Sequence, residues 1–267
     1  MGRCLLRPLM NVCCYTLNNV PLIKKGDDIA RIIVGRTELK EKDVVVISSS
    51  IVAKAEQGLV HLDNYKPTTH AIEIAERNDA DPRFVQAVLD NSKEILIESP
   101  FLLVELEGGH ICVNAGIDVS NTGENDSVTL LPADADDSAR QIQGQLKELT
   151  GVNTGVVIID TNGRAFRNGQ TGVAIGASGI QAMHDWRGSF DLFGRTLEVK
   201  YEAILDEVAG FANLLMDEGD GGTPIVVIQG LDLLSKKKSI TELFRKPEED
   251  IIRKALKRQK EITSINE

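Results

Sequence analysis

The sequence predicts an α+β fold of mixed sheets with packed helices. Three observations carry this. Runs of β-branched residues at 43–50 (DVVVISSS), 155–159 (GVVII) and 223–229 (TPIVVIQ) have strand length and little polarity. Segments with helical spacing lie between them, several behind a capping residue. The two kinds mix without a strict βαβ rhythm, which leaves α+β or mixed α/β.

Along the chain, the apolar run at 20–23 ends at Gly26, and Asp27 or Asp28 caps a helix reaching Arg36. The strand at 43–50 ends in hydroxyls, and the segment after it carries one cation, Lys54. Residues 68–77 read as a helix capped by Thr68 or Thr69. Residues 81–89 read as another, with Asp81 as cap and Pro82 at the first helical position. Two strand-like pieces at 94–106 are broken at Pro100; Gly108-Gly109 turns the chain and 110–115 returns. An amphipathic helix at 134–149 precedes the strand at 155–159, which places Asp160 at its carboxyl end. Residues 195–201 read as a strand. Residues 206–216 read as a helix with Val208, Phe211, Ala212 and Leu215 on one face. The tail at 239–260 is a charged helical segment split by Pro247, and Lys236-Lys237-Lys238 reads as a solvated turn.

Composition narrows the function. With 267 residues, 42% of them hydrophobic, the chain can bury a sizeable core. No run approaches the roughly 18 apolar residues of a membrane helix, so a membrane-spanning role is not expected. A net charge of −10 and 4% aromatics argue against a nucleic-acid surface. Cys4, Cys13, Cys14 and Cys112 have neither zinc-site spacing nor a disulfide framework, which fits a reducing cytoplasm. An acidic chain that binds a small anion must use local cations, backbone N–H groups or bound metal.

Three segments have the chemistry for that. Residues 114–121 (NAGIDVSN), 160–164 (DTNGR, with Phe166 and Arg167 behind it) and 216–222 (MDEGDGG) each set carboxylates beside Gly or Asn. Such oxygens suit Mg²⁺ or Mn²⁺ shared with phosphate. Each also has an ordinary use: Asp118 as an Asx turn, Asp160 as a turn cap, Glu218 as a solvated loop carboxylate. Arg164 and Arg167 flank a Gly-containing loop suited to gripping phosphate or carboxylate, or are simply solvated. From the residues alone the reading stops at an enzyme using metal and nucleotide.

In order, VPLIKKGDD (20–28), the SSSIVAKAEQG segment (48–58), RFVQAVL (83–89), CVNAGIDVSN (112–121), IIDTNGRAFR (158–167), DLFGR (191–195) and FANLLMDEGDGGTP (211–224) resemble the coenzyme F420-0:γ-glutamyl ligases. The resemblance implies a cytoplasmic, GTP-dependent amide ligase that forms an intertwined homodimer. It would add L-glutamate successively to the deazaflavin precursor coenzyme F420-0 through an acyl phosphate, giving a γ-linked diglutamate tail, GDP and phosphate. Divalent Mn²⁺ or Mg²⁺, two per site, and K⁺ are implied with it. So are the residues. Val20, Pro21, Leu22 and Ile23 would line the nucleotide site. Ser49, Ser50, Lys54 and Asn121 would contact the nucleotide, and Asp217, Glu218, Gly219, Asp220, Gly221, Gly222 and Thr223 would approach it. Asp118, Asp160, Thr161 and Glu218 would hold metal, and Asp118, Asp160 and Lys54 would serve catalysis. Residues 1–9 read as an extension ahead of a ligase domain at 10–267, in which two subdomains leave no readable boundary. The nitroreductase-like C-terminal domain of the related two-domain version is not expected here, so flavin chemistry is not implied. Two other functions fit these residues: an amide ligase for another small carboxylate, and a non-catalytic GTP-binding dimer.

Overall fold

The computed structural model describes residues 11–56, 58–123, 125–217, 219–235 and 239–266, with side chains to Gln259. The proposed extension at 1–9, the lysine turn at 236–238 and Glu218 lie outside the described residues.

In chain order the elements are β1 (Cys13–Thr16), α1 (Ile29–Val34), β2 (Val44–Ser48), α2 (Ser49–Glu56) and β3 (Leu59–His61). Then come α3 (Thr69–Asn78), α4 (Pro82–Asp90), β4 (Glu94–Ile97), β5 (Leu103–Glu105), β6 (Ile111–Val113) and β7 (Ser127–Thr129). The rest are α5 (Ala135–Thr150), β8 (Gly155–Arg164), β9 (Arg167–Ser178), β10 (His184–Asp185), β11 (Tyr201–Glu202), α6 (Ile204–Met216), β12 (Ile225–Gln229) and α7 (Ile251–Asn266).

The central sheet has the order β1-β12-β2-β8-β9, with β2 and β8 parallel at its middle and the other neighbours antiparallel. Both its faces are covered, which is why β2 and β8 read as continuous apolar runs. Val45, Ile47, Val156 and Ile158 pack against α1, α2 and α5 on one face. Val44, Val46, Val157 and Ile159 point the other way, toward α6. Between α2 and α5 the chain builds a separate core from α3, α4 and the small sheets β3-β7 and β4-β5-β6. The buried Arg253 guanidinium of α7 pairs with Glu94 and Glu105 and fastens that helix to β4 and β5.

The capped helices form where the capping rule puts them. Asp28, Thr68, Asp81 and Asp134 each accept a backbone N–H from the first turn. Four expectations need correction. Ser49 and Ser50 do not end β2; they open α2. The strand at 155–159 does not stop at Asp160. It runs to Arg164 and returns as β9, so DTNGR is part of a β-ribbon and Asp160 stands within the strand, paired with Val173. Residues 195–201 are not one continuous strand: Thr196 makes an isolated bridge with Phe190, and Tyr201–Glu202 pairs with His184–Asp185. The buried stripe of α6 is Leu205, Val208, Ala209, Ala212 and Met216; Phe211 faces outward.

Candidate active site

The parallel pair β2 and β8 delivers both chains to the same edge of the sheet, where open α/β sheets form their clefts. A cavity of about 490 Å³ lies there. Its floor is Ser48, Ser49 and Ser50 from the β2–α2 junction and Ile159, Asp160 and Thr161 from β8. The Ser49 hydroxyl donates to Asp160 Oδ1 at 3.3 Å, and the Ser48 and Ser50 hydroxyls are 2.9 Å apart. Because α2 begins at Ser49, its first-turn N–H groups and positive dipole end face the cavity, a setting for phosphate. Just before Asp160, one extra residue of β9 breaks the β8–β9 register, a bulge that re-aims the side chains beyond it.

Two loops close the sides. Asp118 is held by backbone bonds in both directions with Thr129, at 3.0 and 2.8 Å. Its carboxylate accepts Ser120 N at 2.8 Å and Ser120 Oγ at 2.6 Å, so the Asx turn is real and the same carboxylate lines the cavity. The opposite loop, with Asp217, Gly219 and Gly222 all at positive φ, leaves α6 and returns through Thr223, whose hydroxyl donates to Met216 O. One chain of bonds ties the walls together. Lys54 Nζ donates to Asn121 O at 2.9 Å, and Asn121 Nδ2 donates to Gly219 O at 3.2 Å. Burial pulls the Lys54 ammonium below its usual range, and the Asp118 carboxylate opposes that shift.

The electrostatics follow from the lining. Four carboxylates, Asp118, Asp160, Asp217 and Asp220, face a single lysine among the described residues. A polyphosphate could not enter such a cavity without compensating cations.

A family model described as F420-0:γ-glutamyl ligase matches residues 18–230. A protein of Archaeoglobus fulgidus named coenzyme F420:L-glutamate ligase is 48% identical over 249 residues, 93% of this chain and 99% of that protein. Proteins with the same name from Methanosarcina barkeri (48% over 242 residues, 90% and 94%) and Haloarcula marismortui (43% over 249 residues, 91% and 96%) are similar along nearly their whole length. The chain belongs to the F420-0:γ-glutamyl ligase family.

In this member of the family, the residues singled out from sequence converge. Val20, Pro21, Leu22, Ile23, Ser49, Ser50, Lys54 and Asn121 line the one cavity. So do Asp217, Gly219, Asp220, Gly221, Gly222 and Thr223, together with Asp118, Asp160 and Thr161. Arg164 and Arg167 do not. They sit exposed at the tip of the β8–β9 ribbon, outside the cavity wall. The donor set fits a hard divalent ion: two carboxylates and a hydroxyl, Asp118, Asp160 and Thr161, are what Mg²⁺ or Mn²⁺ takes when substrate phosphates and water complete the shell. Among the described residues no group of three His, Cys, Asp or Glu is placed to hold a metal ion by itself. Sequence reasoning missed Asn213 and Thr129, which also line the cavity. Asn213 left a signal as the one amide in the apolar run FANLLM. Thr129 left none.

Proposed function

We propose that this chain is a GTP-dependent ligase that joins L-glutamate to the lactyl carboxylate of coenzyme F420-0 and then adds a second through a γ-linkage. Membership of the family and the name coenzyme F420:L-glutamate ligase carried by its relatives support the acceptor and the amino acid. The observation that carries the rest is the cavity: a helix N-terminus and one lysine set among four carboxylates, at the carboxyl ends of two parallel strands.

A carboxylate is a poor electrophile, so an oxygen must first become a good leaving group. In this reading the acceptor carboxylate attacks the γ-phosphorus of GTP, forming an acyl phosphate and releasing GDP. The glutamate amine then attacks the carbonyl carbon, the C–O bond to phosphate breaks, and the amine proton passes to solvent. Such chemistry needs positioning and charge neutralisation more than covalent help. The α2 amides and Lys54 would hold the nucleotide phosphates. Asp118, Asp160 and Thr161 would hold Mn²⁺ or Mg²⁺, two ions per site, whose charge supports phosphoryl transfer. Potassium would assist.

The exposed apolar side chains on the 185–202 arm support a homodimer, and the unbridged Cys13, Cys14 and Cys112 agree with a cytoplasmic setting. Among the described residues no helix is long and apolar enough to cross a membrane.

The test is a mass-spectrometric ligation assay with purified protein, the acceptor, L-glutamate, Mn²⁺ and either GTP or ATP. Mass gains of one and then two glutamyl units, with GTP favoured, are expected. Bound GTP without product would point instead to another carboxylate acceptor or to a non-catalytic dimer.

A further inference from the structure

A second cavity, of about 720 Å³, adjoins the first and takes no part in the chemistry above. The two share Leu130 and Leu131 as a common wall. The chain from Ala115 to Asp118 runs along the same divide with alternating allegiance: Ala115 and Ile117 face the second cavity, Gly116 and Asp118 the first. The volume is that of a site for a small organic molecule.

Both cavities carry carboxylates, the second Asp90, Glu107, Asp134 and Asp136, but their other walls differ. Serines and glycines make up much of the first. The second has two rings at one end, His110 and Phe244, with centroids 6.2 Å apart and planes inclined at 39°. Apolar side chains from Ile117, Leu130, Ile175 and Ile240 line much of the rest. Its one cation among the described residues, Arg140, is already paired with Asp137. Its carboxylates outnumber that cation, so it is a poor place for a polyphosphate, while the rings and apolar side chains offer a surface to a flat ring system.

The ring-bearing segment is built as a strap. The Asp136 carboxylate accepts from Ser239 Oγ and from Ile240 N, and also from Ala177 N of β9, so it pins the strap's start to the central sheet. At the other end Phe244 rests on Gly109, where a Cβ would stand 3.3 Å from the ring and φ is +88°. Backbone without a side chain is what lets the ring lie that close.

The ring end of this cavity also lies beside the reactive one. His110 Nε2 is 3.1 Å from Asn162 Nδ2, and Asn162 is two residues beyond Asp160 on β8, about 7 Å along the strand. Cys112, two residues from His110, senses the Asp160 charge, which adds to burial in pushing its thiol up to about 12. The pairs His110–Cys112 and Asn162–Asp160 therefore run side by side.

We propose that this second cavity receives the heteroaromatic head of the acceptor, gripped between the His110–Phe244 end and the apolar walls, while the acceptor's carboxylate tail reaches Asp160 and Asp118 in the first. The placement rests on the reading that the acceptor is a deazaflavin bearing a carboxylate on a flexible arm. It makes the strap at 239–244 a specificity element for the acceptor, with no role toward GTP.

The experiment is steady-state ligation with the deazaflavin acceptor, GTP and L-glutamate, comparing wild type with Phe244→Leu and Ala133→Trp. The first removes the flat ring and keeps an apolar side chain. The second enlarges an exposed rim residue of the cavity, outside the packed cores, and keeps the test intact if the first variant folds poorly. The acceptor KM should rise about tenfold in each, with the KM for GTP unchanged. Active wild type together with an unaltered acceptor KM in both variants would overturn the cavity assignment alone. Wild type that transfers no glutamate to this acceptor would overturn the reading beneath it, and the placement with it.

Discussion

Lys54 shows how much of the site rests on single residues. Its ammonium bonds the Asn121 carbonyl, whose side chain bonds Gly219, so one lysine ties helix α2 to both loops of the cavity. A charge-assisted bond of this kind is worth enough that Lys54→Ala should weaken GTP binding roughly ten- to a hundredfold, read by calorimetric titration. An unchanged dissociation constant would remove Lys54 from the phosphate site. Asp160→Ala should abolish ligation while circular dichroism stays that of the parent, because Asp160 lies at the cavity and outside the packed cores. His110 offers a test by pH. Burial lowers its pKa from 6.5 to about 4, so the folded chain resists a proton that the unfolded chain accepts. Its stability contribution is therefore full above about 6.5 and is lost as pH falls toward 4. His110→Gln should remove that part of the acid sensitivity, so the melting-temperature gap between variant and wild type must change by a few degrees across this window. A gap that does not vary with pH would contradict it. At this scale the site was largely legible, since Asp, Ser and Gly in short segments advertise their chemistry. Thr129 was not, because a threonine in a strand looks like any other β-former.

At the scale of elements, legibility followed the strength of the local signal. Asp81-Pro82 and Thr68 announced their helices because capping depends on neighbours in sequence. The β8–β9 ribbon was misread because Asn162-Gly163 looks like a turn, yet cross-strand pairing carries the chain through it to Arg164. The buried face of α6 was turned by one position for a related reason: Leu205, Phe211 and Leu215 allow two apolar stripes, and packing against β9 decides between them. That packing depends on glycines in β9. A Cβ at Gly172 would stand 2.5 Å from Ala209 O and 2.6 Å from Asn213 Cβ; one at Gly176 would stand 2.3 Å from the Ala135 backbone. Neither backbone can yield without moving a helix. Gly176→Ala should therefore cost about 1–3 kcal/mol in urea unfolding. Gly172→Ala should cost a similar amount and, on the proposed function, also weaken GTP binding, because the displaced Asn213 lines the first cavity. Parental GTP affinity in the Gly172 variant would separate α6 packing from the site.

For the molecule as a whole, the alternation of Val44 to Ile47 and of Val156 to Ile159 between two helix-covered faces made the central layers readable. What the sequence left obscure is the arm from His184 to Glu202. Its β-branched and aromatic residues imitate a strand, but the structure leaves them in solvent: Leu192 is 100% exposed, Phe193 91% and Val199 86%. Phe166, at the tip of the β8–β9 ribbon, is equally bare. The arm holds its shape through its own bonds, Asp191 N to Arg195 O, Leu197 N to Ser189 O and Trp186 N to Lys200 O, so the exposure belongs to an ordered hairpin. Ordered apolar surface of this kind marks an interaction site. A second copy of the chain is the occupant proposed above. Burying a Leu or Phe side chain contributes about 1.5–3 kcal/mol, so introducing charge at two such positions should dissociate a dimer that uses them. Light scattering should therefore find the wild type at twice the 29.1 kDa chain mass and the Leu192→Asp, Phe193→Asp double variant at the single mass. Because neither side chain packs into the three cores, the variant's thermal unfolding should stay cooperative. A double variant that remains dimeric would place the interface elsewhere, and a monomeric wild type would remove the dimer from the proposed function.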